Sequence, residues 1–159
     1  MNDRTDAAGH EVAVGDRVGL ALFAYGTLTF GEIVEALLGR ALPVTPAVLP
    51  GWRVARLPGR PYPGLVPEPG RVASGFLIRE LAEADWAFLD AWEGAPYRVR
   101  QVKPVAGSSP GPGPGMAALT YAWRDLADVE PTDWDPDWFS REWLEAYRAR
   151  LGSRPHGFS

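Results

Sequence analysis

The stretch "LFAYGTL", residues 22–28, runs from an apolar segment straight into a glycine and a threonine. An apolar run from Val18 to Tyr25 reads as a strand buried on both faces. Beyond it, Phe30, Ile33, Val34, Leu37 and Leu38 recur at the spacing of a single helical stripe. Thr29 and Glu32 have capping-box spacing, Leu28 and Ile33 have staple spacing, and Gly39 can end the helix. A strand that turns within a few residues into a helix leaves backbone N–H groups at the strand end. Those of Gly26, Thr27 and Leu28 can form an anion-binding hollow, with the positive end of the helix beside it. A glycine suits such a place because it tolerates positive φ and lets a ligand approach the backbone. By itself the segment also fits a plain tight turn. It is not a phosphate loop, having neither the Gly-x4-Gly-Lys frame nor a lysine.

Working outward, residues 42–70 are too rich in Pro and Gly for a helix, and short strands broken by turns are predicted there, "WRVARL" and "GLV" among them. "VASGFLI" (72–78) is a further strand, and Gly75 inside it implies close backbone approach. Leu81, Phe88, Leu89 and Trp92 share one face of a second helix that Gly94 stops. "YRVRQVKPV" (97–105) reads as a strand whose apolar phase slips between Val99 and Val102, which predicts a bulge. "SSPGPGPG" (108–115) has the composition of a flexible loop. "MAALTYAW" (116–123) returns as a strand with Leu119, Tyr121 and Trp123 on one face. Asp135 and Pro136 start a last helix, with Phe139, Trp143, Ala146, Tyr147 and Leu151 as its stripe. Residues 1–16 read as a disordered lead-in, 17–151 as one domain and 152–159 as a loose tail. Many short strands with three helices make the fold class α+β, a strongly curved sheet or barrel.

The length, 159 residues, suits one domain. Net charge is −4 and the 16 basic residues are scattered, so no nucleic-acid or anionic-membrane footprint is visible. No apolar run reaches the ~20 residues that span a bilayer, and the polar, acidic N-terminus is not a signal peptide, so a cytoplasmic protein is expected. The chain has no cysteine, which excludes disulfides, thiolate nucleophiles and cysteine-ligated metals. The acidic run from Asp125 to Asp137 lacks the glycine and closing glutamate of a calcium loop. His10 and His156 lie in the terminal segments, so no hydrolase triad is in view. No metal or cofactor is expected.

One carboxylate stands out. In "LDAWEGAPYRV" (89–99), Glu93 is the last residue before the helix-ending Gly94, flanked by Trp92 and Tyr97. The negative end of a helix dipole costs an ionised carboxylate about 0.3–1 kcal/mol. Burial among aromatics raises its pKa further, towards that of a general base near neutral pH. A solvated surface glutamate at a helix end has the same local sequence.

Taken in order, "FAYGTL", "RPYPGLVP", "VASGFL", "LDAWEGAPY" and "TYAW", with the closing "WDPDWFSREWL", resemble the γ-glutamylcyclotransferase-like superfamily, in the branch of the plant avirulence-induced proteins and their bacterial relatives. The resemblance covers residues 20–151. It implies a small mixed β-barrel with surrounding helices and a pocket at one end. It implies that Tyr25, Gly26, Thr27 and Leu28 form a substrate-binding loop, with Glu93 as catalytic acid/base and Tyr97 in the same site. Many members carry an Arg two residues after that tyrosine, where this chain has Val99 between Arg98 and Arg100. The implied reaction converts a γ-glutamyl amino acid or amine, a small-molecule substrate, to 5-oxoproline. A transferase or lyase for another glutamyl-like amide, and a non-catalytic binding module, remain alternatives. The leaving amine and the oligomeric state, monomer or small homo-oligomer, are not legible in the sequence.

Overall fold

The computed structural model describes residues 12–107 and 115–152. Its strands are β1 (Ala21–Ala24), β2 (Val44–Ala55), β3 (Gly64–Ile78), β4 (Tyr97–Val102), β5 (Val105–Ala106) and β6 (Ala118–Trp123). Its α-helices are α1 (Gly31–Leu38), α2 (Glu83–Glu93), α3 (Pro136–Glu142) and α4 (Leu144–Gly152). The strands form one mixed sheet in the order β4-β6-β1-β3-β2-β5, in which β1 and β6 run parallel and the other pairs antiparallel.

Strand alternation sorts the core into two clusters. Leu22 and Ala24 of β1 join Leu119, Tyr121 and Trp123 of β6 beneath Ile33, Trp86, Leu89 and Phe139 of the helices. Phe23 and Tyr25 point the other way, into a cluster with Leu49 of β2, Leu77 of β3 and Val102 of β4. Val102 and Leu49 come from opposite sides of the strand order, so the sheet curls around this second cluster as a small barrel does. The result is an α+β fold, with one six-stranded mixed sheet and four α-helices among the described residues.

Several local expectations need correction. The Pro- and Gly-rich segment is not a series of short strands. It is a long β2–β3 hairpin in which Pro46, Pro50, Pro67 and Pro69 occupy strand positions, and the register shifts once, between Pro50 and Trp52. The predicted bulge in β4 is absent, because Tyr97 to Val102 pair with Trp123 to Ala118 in unbroken register. The apparent phase slip arises because Tyr97 and Val99 face the helix side while Val102 faces the barrel interior, so both faces carry apolar residues. Helix α1 begins later than its capping box implied. Residues Thr27–Thr29 form a 3₁₀ turn first, and the Thr29 hydroxyl donates to the Gly26 carbonyl at 2.6 Å instead of capping. Phe88 is exposed, and Trp86 takes the core position on α2. The last helix is broken at Trp143 into α3 and α4. Asp135 caps α3 by accepting from the Asp137 N–H, but Trp143 and Ala146 are exposed. Residues 108–114, 1–11 and 153–159 lie outside the described residues, and with them most of the expected loop, lead-in and tail. Across the boundary between lead-in and domain, Val14–Arg17 forms a 3₁₀ turn.

Candidate functional site

A cavity of about 380 Å³ opens where the C-terminal end of β1 meets the end of α2. Tyr25, Gly26, Thr27, Leu28, Glu93 and Tyr97 all line it, so every site residue singled out from the sequence lies in one place.

The loop after β1 owes its shape to packing. Gly26 has φ −122°, so positive φ is not the reason for a glycine there. A Cβ at Gly26 would instead lie 2.8 Å from the Pro63 ring, which packs directly on it. Pro63 is in turn held by Tyr97, whose hydroxyl donates to the Pro63 carbonyl at 2.6 Å. The 3₁₀ turn uses the Gly26 and Thr27 carbonyls as acceptors. Among the described residues no group accepts from the N–H of Gly26, Thr27 or Leu28. Three backbone donors on a cavity wall are thereby available to an anion or a developing oxyanion.

Glu93 ends α2, and Gly94 follows in the positive-φ conformation (φ 80°) that glycine adopts most readily. That sharp exit sends the chain into β4 and leaves Glu93 on the cavity wall. The side chain is half-buried, and among the described residues no group hydrogen-bonds or ion-pairs with its carboxylate. Burial, and secondarily the negative charge of Asp90 one turn earlier, push its pKa up to about 8. Burial foremost, with the charge of Glu93 adding to it, holds the hydroxyls of Tyr25, Tyr97, Tyr121 and Tyr147 in the neutral form. Tyr25 donates to the Tyr121 carbonyl and Tyr121 donates to Asp90, both at 2.6 Å.

Asp90 also accepts from Arg17 at 2.8 Å, and Arg17 is only 3% exposed. Its buried guanidinium donates to the Val12 carbonyl as well and lies over the Trp86 ring. Arg17 had no sequence signature, because nothing local distinguishes it from a surface arginine. Tyr62, Trp92, Tyr121 and Tyr147 also line the cavity. They lie in quoted motifs or stripes, but their convergence is a long-range property.

Neither Arg98 nor Arg100 reaches the cavity. In a regular ladder both fall on the opposite side of β4 from Tyr97 and Val99, and Arg100 lies over the Trp52 ring. Among the described residues that line the cavity, the cationic side chain is Arg150 of α4, over the Tyr147 ring. Of the acidic run, Asp133 pairs with Arg53 and Arg71, Asp128 pairs with Arg60, and Asp135 caps α3. No group of three or more potential metal ligands occurs among the described residues. No helix among them is long and apolar enough to cross a membrane.

Comparison with known proteins gives this geometry a lineage. AIG2-like protein A of Arabidopsis thaliana is 29% identical over 130 residues, covering 82% of this chain and 75% of that protein. The solution structure of another Arabidopsis thaliana protein superposes with a TM-score of 0.62 at 25% identity, over 89% of this chain and 88% of the other. A structure described as gamma-glutamyl cyclotransferase shares the fold, with a TM-score of 0.55 at 16% identity, over 89% and 91% of the two chains. Residues 22–144, which span the loop, the hairpin and Glu93, match the family described as "Gamma-glutamyl cyclotransferase, AIG2-like", and the chain belongs to that family.

Proposed function

We propose that this protein is a γ-glutamyl cyclotransferase that converts a γ-glutamyl amide to 5-oxoproline and a free amine. The observation that carries the reading is a carboxylate with its pKa near 8 sharing one cavity with three backbone N–H groups that have no acceptor among the described residues. An intramolecular acyl transfer needs both features. The substrate's α-amine arrives as an ammonium and must lose a proton before it can attack its own γ-carbonyl. Glu93 accepts that proton and later delivers one to the departing nitrogen. The new bond joins the α-nitrogen to the γ-carbon, and the amide C–N bond breaks. The ammonium sheds two protons and the departing nitrogen gains two, so the reaction is proton-neutral overall.

The N–H groups of Gly26, Thr27 and Leu28 hold the α-carboxylate or the oxyanion. Tyr25 and Tyr97, with their hydroxyl protons donated to backbone carbonyls, wall the space in which the glutamyl chain folds back. Holding that folded conformation recovers part of the advantage of intramolecular attack, for which effective molarities reach ~10⁵–10⁸ M. A panel of γ-glutamyl amino acids and γ-glutamyl amines, assayed for 5-oxoproline release, tests the reading. Turnover that depends on Glu93 supports it, and no release from any member overturns it.

A further inference from the structure

Arg17 is only 3% exposed, and it precedes the matched family segment, which begins at Leu22. It ends the 3₁₀ turn Val14–Arg17, which leads into β1 and packs on α2. A buried guanidinium is costly unless it is paired and hydrogen-bonded. Here Nη1 donates to Asp90 Oδ1 at 2.8 Å, Nε donates to the Val12 carbonyl at 2.8 Å, and Cζ lies 5.4 Å from the centre of the Trp86 ring. The same oxygen of Asp90 accepts from the Tyr121 hydroxyl at 2.6 Å, and Tyr121 lines the cavity. Asp90 lies one turn before Glu93 on α2. A buried cation and a cavity tyrosine thus meet at one carboxylate oxygen behind Glu93.

Resting on the reading of Glu93 as the base of a cyclotransferase, we infer that Arg17 is a positioning residue, which pins Asp90 on Tyr121 and opposes the Asp90 charge behind Glu93. Arg17 does not line the cavity, so it acts without touching substrate. The charge of Asp90 favours the protonated form of Glu93, and a cation beside Asp90 works against that. Without Arg17, Tyr121 still holds Asp90 in place, so its charge acts unopposed and the base ionises at a higher pH. Among the described residues, the other titratable and charged groups that share the cavity with Glu93 are Tyr25 of β1, Tyr62 of the β2–β3 connection, Tyr97 of β4, Tyr121 of β6, and Tyr147 and Arg150 of α4. Tyrosines keep their protons at neutral pH, and Arg150 is the same in every variant below. Neither accounts for a difference among those variants.

The test titrates the side-chain carboxyl carbon of Glu93 by NMR, its resonance assigned by its loss in Glu93→Gln. Arg17→Met keeps an apolar stem against Trp86 and removes the charge, whereas Arg17→Lys keeps the charge. Arg17→Met should raise the Glu93 midpoint by about half a pH unit, the scale of one opposing charge softened by solvent. Arg17→Lys should stay near wild type. A midpoint in Arg17→Met that is unmoved or lower overturns the inference, whatever the melting temperature, because a purely structural ion pair changes stability alone. An equal rise in both variants overturns it too, since lost packing and not lost charge would be the cause. Where Arg17→Met fails to fold, Arg17→Met/Asp90→Asn removes both charges of the pair together. Its midpoint should then lie above that of Asp90→Asn, and coincidence of the two overturns the inference. These titrations need no turnover, so they decide whether Arg17 opposes Asp90 even where no γ-glutamyl compound is cleaved and the cyclotransferase reading fails. On an active substrate, the kcat/KM midpoint of Arg17→Met should rise with the resonance, and a profile that stays fixed overturns the positioning role.

Discussion

Pro63 packs its ring on Gly26 so closely that a methyl group there would lie 2.8 Å from its Cγ. The glycine between strand and turn is thus required by a residue of the β2–β3 connection, far away in sequence. Gly26→Ala should cost about 1–3 kcal/mol through overpacking, read as a lowered Tm, and should weaken turnover by displacing the loop N–H groups. Pro63→Ala in the same chain removes the obstructing ring, so the double variant should recover part of the stability lost by Gly26→Ala. Strict additivity of the two losses would refute this coupling.

Glu93→Gln preserves shape but cannot accept the ammonium proton. Turnover should fall by the ~10²–10⁴-fold that general acid–base catalysis supplies. Substrate binding should change less, since the loop is assigned the α-carboxylate. Steady-state kinetics together with titration of the variant measure the two effects separately. Wild-type turnover in the glutamine variant would remove Glu93 from the mechanism.

The raised pKa of Glu93 has a signed consequence for stability. Its ordinary value is 4.5 and its folded value about 8, so between these the folded state binds more protons than the unfolded state. Stability from this group is complete below pH 4.5, declines as pH rises to about 8 and is level above that. Glu93→Gln and wild type should therefore melt together near pH 4, and the variant should gain a Tm advantage that grows up to about pH 8. The kcat/KM of the wild type should rise over the same approach to pH 8, as the free enzyme acquires its base. A profile already flat at pH 5 would show an ordinary solvated carboxylate.

Asp90→Asn tests the group behind the base. Its charge helps raise the Glu93 pKa, so the pH–rate midpoint should move down. The asparagine oxygen can still accept from Tyr121, but buried Arg17 loses its counter-charge. Because Asp90 is itself 37% exposed, water softens that loss, and about 1–3 kcal/mol of destabilisation is expected from a denaturant titration. An unchanged pH midpoint would separate Asp90 from the site.

The local signals of this protein were written within short windows. The apolar stripe from Phe30 to Leu38, the exits at Gly39 and Gly94 and the Asp135 cap depend on neighbours three or four residues away, and each is recognisable from the residues alone. The same holds for Glu93 at a helix end among aromatics. The one-residue errors have an equally local origin. Thr29 has two backbone oxygens within reach of its hydroxyl, and closing the 3₁₀ turn on Gly26 outcompetes capping α1. Val102 looked out of phase because period-two reasoning assumes one buried face, whereas a curled sheet buries both.

What only the tertiary structure decided is the cavity itself. Tyr62 and Pro63 from the hairpin connection, Tyr121 from β6, and Tyr147 and Arg150 from α4 converge on residues 25–28 and Glu93 because the sheet curls and the helices close its end. Each of these side chains looks locally like a core aromatic, a turn proline or a surface arginine. The pKa of Glu93 belongs to this level as well, since it follows from the burial and from Asp90 together. The sequence by itself determined which residue types could do the chemistry. Their shared enclosure depends on contacts across most of the chain, and no short window records those.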